Sequence, residues 1–153
     1  MRSKARRRHA LSAKDSRPHF LCPETSASAN TIQSNLVGIQ VDSRSTARII
    51  GNNIISNTGD GIVVLRDSQA DIAANVISGN GGDGIEVGEN SMLQLGEDSG
   101  SSIFESPNTS GAANSGFAFK CTTGSVMDGR RGSLAGAAGL ISADASCIDS
   151  TIP

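Results

Sequence analysis

The stretch SNTGDGIVV, Ser56 to Val64, contains a phrase that the chain repeats. Its Gly61 returns 23 residues later as Gly84 in SGNGGDGIEV, Ser78 to Val87. It also stands 23 residues earlier as Gly38 in SNLVGIQV, Ser34 to Val41. Working outward, each phrase belongs to a longer unit. The units are NTIQSNLVGIQVDSRSTARI from Asn30, NNIISNTGDGIVVLRDSQADI from Asn52 and NVISGNGGDGIEVGENSMLQL from Asn75. Asn30, Asn52 and Asn75 align, as do Asn35, Asn57 and Asn80. So do Gly38, Gly61 and Gly84; Ile39, Ile62 and Ile85; Val41, Val64 and Val87; and Ser45, Ser68 and Ser91. Behind the serines lie Ala47, Ala70 and Leu93, then Ile49, Ile72 and Leu95.

Each unit holds three short apolar/polar alternations separated by Gly, Asn, Asp or Ser. Period two means strands with one face inward, and no apolar run is long enough for a stable helix. One such unit cannot bury its own face, whereas stacked copies can. The expected fold is therefore all-β: a single-stranded parallel β-helix with about three regular coils. Equivalent residues would lie about 4.8 Å apart in successive coils. Ile39, Ile62 and Ile85 would stack, and the asparagines would form amide ladders. The phrase recurs because each coil must present the same residue at the same place. Leucine-rich repeats share the period but need several Leu per repeat. Calcium-binding nonapeptide repeats need shorter Gly-Gly-x-Gly-x-Asp units. Neither pattern is present.

GNNIISNTGDGIVV and AANVISGNGGDGIEV resemble the parallel β-helix repeat of the pectin-lyase-like superfamily. The resemblance covers Asn30 to about Leu95 and implies a right-handed coil. GFAFKCTTGSVMDGRRGSLAGAAG looks more loosely like the end of bacterial secreted β-helix repeat proteins. The polygalacturonase-like enzymes of that superfamily carry Asn-x-Asp, Asp-Asp, Gly-His-Gly and Arg-x-Lys; here no histidine lies in the repeats, no Asp-Asp occurs, and no Arg-x-Lys lies in the repeats, Arg2-Ser3-Lys4 being in the tail. Pectate-lyase-like members use an arginine base near calcium-binding aspartates. Arg44, Arg48 and Arg66, the repeat arginines, all lie off the Gly-Ile-x-Val strand. No catalytic residue carries over.

Register lapses after Leu95. Residues 96–115 read as an inserted loop. GFAF, Gly116 to Phe119, reads as the Gly-Ile-x-Val phrase of a fourth, interrupted coil, with Phe117 and Phe119 as core plugs. Residues 116–153 are then the last coil and a C-terminal cap over the open end, which would otherwise invite edge-to-edge association. No comparable N-terminal cap is visible, which suggests a fragment of a longer solenoid. Residues 1–28 read as a basic disordered tail or a misplaced start. Residues 1–19 carry +6 and the remainder −8, giving the net −2. Such a tail could be a nucleic-acid arm, but it lacks interleaved aromatic residues, so nucleic acid is an unexpected partner. No apolar run follows the basic segment as a signal peptide requires, and none approaches the roughly 20 residues of a membrane span.

Among candidate sites, Asp60 and Asp83 are equivalent and should stack, with Glu86 pointing outward beside them. Paired carboxylates suit calcium or acid–base chemistry, but Asp before Gly is also a favoured turn residue. GNGGDG, Gly79 to Gly84, matches Gly-x-Gly-x-x-Gly, yet a strand follows where a dinucleotide site needs a helix. NTS, Asn108 to Ser110, reads as a chance sequon. Cys22, Cys121 and Cys147 lack metal-ligand spacing, and both histidines, His9 and His19, lie in the tail. Cys121 and Cys147 flank the expected cap and should form a disulfide, with Cys22 unpaired. That bridge implies an oxidising compartment.

The expected function is a non-catalytic structural or adhesive module of a secreted or cell-surface protein, with no cofactor. Its partners would be polysaccharide, cell-surface components or further coils of a parent chain. The alternative is a remnant of a polysaccharide lyase or glycoside hydrolase. Absence of Trp and Tyr weakens sugar binding, since aromatic faces are the usual ring platforms.

Overall fold

The computed structural model describes residues 12–13, 30–96, 107–144 and 147–149. Among these, every strand pairing is parallel and no helix occurs. The chain winds as a β-solenoid with three sheets running along it. β1 (Ser12–Ala13) is followed by coil one, made of β2 (Thr31–Gln33), β3 (Ile39–Val41) and β4 (Thr46–Ile50). Coil two contains β5 (Asn53–Ile55), β6 (Ile62–Val64) and β7 (Gln69–Ala73), and coil three contains β8 (Val76–Ser78), β9 (Ile85–Val87) and β10 (Met92–Leu95). Beyond them lie β11 (Phe117–Cys121), β12 (Val126–Gly129), β13 (Gly139–Ala143) and β14 (Ile148–Asp149). The sheets have the orders β1-β3-β6-β9-β11-β13, β4-β7-β10-β12-β14 and β2-β5-β8.

The register follows the repeat. Ile39 pairs with Ile62 and Ile62 with Ile85, and Ile62, Ile85, Val64 and Val87 are fully buried. Equivalent β-branched residues therefore form continuous apolar columns. The turns are closed by side chains. The Asn52 amide oxygen accepts both the backbone N–H (3.3 Å) and the side-chain Nδ2 (3.1 Å) of Asn30. Asn75 serves Asn52 in the same way (2.9 and 3.2 Å). Asn57 serves Asn35, and Asn80 serves Asn57. A serine ladder runs beside them, with the Ser45, Ser68 and Ser91 N–H groups donating to the hydroxyls of Ser68, Ser91 and Ser125. These bonds satisfy turn groups that lose water on stacking. Glycine is required beside the second ladder: a Cβ at Gly61 would lie 2.6 Å from Gly84 O and 2.7 Å from Ile77 Cγ2.

The fourth coil corrects the expected register. Asn108 accepts from Asn75, and Asn114 accepts from Asn80, each through N–H and Nδ2. The coil therefore resumes at Asn108, inside the stretch expected to be loop to residue 115. Asn75 and Asn108 are 33 residues apart where Asn52 and Asn75 are 23 apart, so the insertion before Asn108 is ten residues. Asn108 is fully buried, so its side chain is committed to the ladder and closed to modification as a sequon. GFAF was also expected two residues out of place. Phe119, not Phe117, pairs with Ile85, and Cys121 takes the place of Val87. Phe119 is a buried core plug, whereas Phe117 is only half-buried.

The C-terminal segment winds on instead of forming a lid. β13 pairs with β11 and β14 with β12, while isolated bridges join Thr109 to Ser133 and Asn114 to Gly136. Cys121 and Cys147 are joined by a disulfide with Cα atoms 5.9 Å apart. At the other end, β1 falls within the expected tail and pairs with β3; Cys22, His9 and His19 lie outside the described residues.

Candidate functional site

The strands β3, β6, β9 and β11 carry one outward column, Gln40, Val63, Glu86 and Lys120. Just before these strands, Asp60 and Asp83 end their turns in adjacent coils. The topology brings these groups together: Asp60, Asp83 and Glu86 offer oxygens within 4.8 Å of one another. Lys120 Nζ lies 2.9 Å from Glu86 Oε1 and 3.8 Å from Asp83 Oδ2. Lys120 was not singled out in the sequence. The signal for it was present, since Lys120 falls three residues after Phe117, the residue equivalent to Asp83, once the register is set by Phe119.

Each aspartate is anchored through one oxygen. Asp83 N–H donates to Asp60 Oδ1 at 2.6 Å, and Phe117 N–H donates to Asp83 Oδ1 at 2.7 Å. The carboxylates thus bridge successive coils much as the asparagines do. Gly82 and Gly116 make room, because a Cβ at either would collide with the Oδ1 of Asp60 or Asp83 respectively. Burial raises the Asp60 pKa, opposed by the Asp83 N–H and reinforced by the charges of Glu86 and Asp83. The Glu86 hydrogen bond raises that of Lys120, against partial burial. Together the four groups carry one cation against three acids, in a half-buried patch.

Val63 lies in the same column, between Gln40 and Glu86, yet it is only 5% exposed, so Val63→Thr would bury a hydroxyl. The repeat arginines form ion pairs with neighbouring coils: Arg44 with Asp67, Arg48 with Asp71, and Arg66 with both Asp42 and Glu89. Among the described residues, no helix is long and apolar enough to cross a membrane.

A parallel β-solenoid closed by asparagine and serine ladders, with carboxylates stacked along one strand face, defines a β-helix repeat protein. The family model described as periplasmic copper-binding protein (NosD) matches residues 12–117, and the chain belongs to that family. No curated protein and no solved structure matches it significantly. The match begins at β1 and ends at the start of β11, so the last turns and the disulfide lie beyond it.

The description raises the question of copper. Copper sites draw on imidazole, thiolate and thioether donors, whereas carboxylate groups suit harder cations. Among the described residues there is no histidine. Cys121 and Cys147 are bonded to each other. Met92 is exposed on β10, while Met127 is buried on β12. Among the described residues, the one grouping of three or more His, Cys, Asp or Glu ligands is the Asp60, Asp83 and Glu86 triad. These residues do not fit a copper centre.

Proposed function

We propose that this chain is a non-catalytic β-helix module working outside the cytoplasm, a scaffold whose faces present surface rather than chemistry. The observation that carries this reading is the employment of the carboxylates. Asp60 and Asp83 each commit an oxygen to the backbone of the next coil, and Lys120 sits against Glu86 and Asp83. An acid–base pair or a lyase calcium site needs those oxygens aimed at substrate or cation. Here they close turns. The extracytoplasmic setting is supported by the family's description as periplasmic and by the Cys121–Cys147 bond, which cytosolic thiol pools would reduce.

The test is direct. Purified chain is incubated with pectate or alginate, with and without calcium, and followed for unsaturated product absorbing in the ultraviolet. No product is expected. Product formation abolished by Asp60→Asn with Asp83→Asn would overturn the scaffold reading in favour of a polysaccharide lyase.

A further inference from the structure

We propose that the coils of this chain hold no copper site, so that the metal in its family's description is not bound by its β-helix. The inner face is hydrocarbon, with Ile39, Ile62, Ile85 and Phe119 in one column and Val41, Val64 and Val87 in the next. The soft donors among the described residues are two sulfurs spent in a disulfide and two methionines turned to opposite sides of their sheet. Met92 is 48% exposed and Met127 is 1% exposed. Among the described residues there is no histidine and no free thiol to complete a site with either methionine.

The carboxylate triad differs from these soft donors in kind. At a given donor set, affinity among divalent first-row metals rises towards copper, so three free carboxylates would take it up. These three are not free. Two oxygens accept backbone N–H groups of the following coil, and the Lys120 ammonium occupies the space between Glu86 Oε1 and Asp83 Oδ2. A cation entering there would have to displace a cation already hydrogen-bonded in place, at aspartates that each have one oxygen committed to the next coil's backbone. The mismatch is therefore one of chemistry and geometry together.

The experiment uses the full chain, oxidised, and a His9→Ala, His19→Ala, Cys22→Ser variant that removes the imidazole and thiol donors outside the coils. Each is loaded with Cu(II), and separately with Cu(I) under anaerobic conditions. Retained copper is then measured against a chromophoric chelator of micromolar affinity. The variant should retain no copper, while circular dichroism and melting match the parent. Whether the parent retains any does not alter that expectation; copper on the parent alone would place its ligands outside the coils. Stoichiometric copper on the variant would overturn the proposal. Loss of that copper in an added Asp60→Asn, Asp83→Asn, Glu86→Gln background would then place the site at the triad. The polysaccharide assay is independent of this outcome, so the scaffold reading and the copper inference can fail separately.

Discussion

Between coils one and three, the columns inside the solenoid repeat a residue or a close relative: Ile39, Ile62 and Ile85; Val41, Val64 and Val87; Ile49, Ile72 and Leu95. Past Leu95 the same columns hold Phe119, Cys121 and Gly129. Bulk lost where Gly129 replaces a leucine is gained where Phe119 replaces an isoleucine. Phe119, Cys121 and Met127 remain buried although no single apolar column keeps its residue type. Polar closure persists, since Asn108, Asn114 and Ser125 extend all three ladders. What changes is covalent: the terminal turns carry the disulfide, and β13 is only partly buried. Regular coils are held by identity from layer to layer. The terminal turns keep the ladders but rely on compensating volumes and a cross-link.

That contrast can be broken first at its strongest point. Ile62 is fully buried between Ile39 and Ile85. Ile62→Ala should cost roughly 2–5 kcal/mol. Ile62→Asp should cost more, through an unpaired buried charge, and prevent folding at ordinary temperature. Ile141, in the same column but half-buried at the far end, should tolerate Asp with a much smaller loss. Equal losses at the two positions, measured by urea unfolding, would show that the terminal turns are as integral as the coils.

The second test targets the cross-link. Cys121 and Cys147 are 26 residues apart in sequence. Closing a loop of that size restricts the unfolded chain by about 3–4 kcal/mol on the chain-entropy model. Cys121→Ser with Cys147→Ser should lose about that much. Hydrogen exchange should show β13 and β14 opening while β6 and β9 keep their protection. Uniform loss of protection would mean that the solenoid unfolds as one unit and that its two ends do not differ.

The ladders give a third, smaller effect. Asn80 accepts from Asn57 through two bonds and donates to Asn114 Oδ1 and Ile54 O, wholly buried. Asn80→Ala strands those partners and should cost about 2–3 kcal/mol. Asn35, half-buried at the first coil, donates to Asn57, and among the described residues no asparagine of an earlier coil precedes it; Asn35→Ala should cost about 1 kcal/mol. Reversal of this order in thermal melts would show that ladder position does not set its strength.

The regular coils were legible because each turn repeats both an apolar column and an amide at fixed spacing. The fourth coil was obscured at both signals. Ten inserted residues displace Asn108, and one further residue separates Asn108 from Asn114, which are six apart where Asn75 and Asn80 are five apart. GFAF then supplies a glycine and two apolar residues two positions early. The glycine of the motif is in fact replaced by Ala118, whose carbonyl lies close to Gly84. Stacking of Asp60 and Asp83 was readable from the alignment. Their bonding to the next coil's backbone was not, because it depends on turn geometry and on Gly82 and Gly116 leaving room for the carboxylates. Lys120 followed the register error: with GFAF two residues out, it aligned with no column.

The smallest expected effect lies at that cluster, where the two aspartates occupy equivalent places but differ in surroundings. Lys120 pairs with Asp83 rather than with Asp60. Burial, with the nearby Glu86 and Asp83 charges, raises the Asp60 pKa above 3.8, despite the Asp83 N–H donated to it. A carboxyl whose pKa is higher folded than unfolded holds its proton more tightly in the folded state. Its ionisation therefore disfavours folding above the folded pKa. That penalty is relieved as pH falls through the folded pKa, and the relief is complete below 3.8. Asp60→Asn keeps an oxygen to accept from Asp83 N–H and removes the charge. It should leave the fold intact and raise the melting temperature slightly at neutral pH, by less than about 1 kcal/mol of stability. The gain should vanish in acid, where the native carboxyl is already neutral. Asp83→Asn also removes a partner of Lys120, so it should show no such gain at neutral pH. Melting curves of both variants across pH 3–7 decide the matter: a neutral-pH gain for Asp83→Asn equal to that for Asp60→Asn would erase the distinction between the two carboxylates.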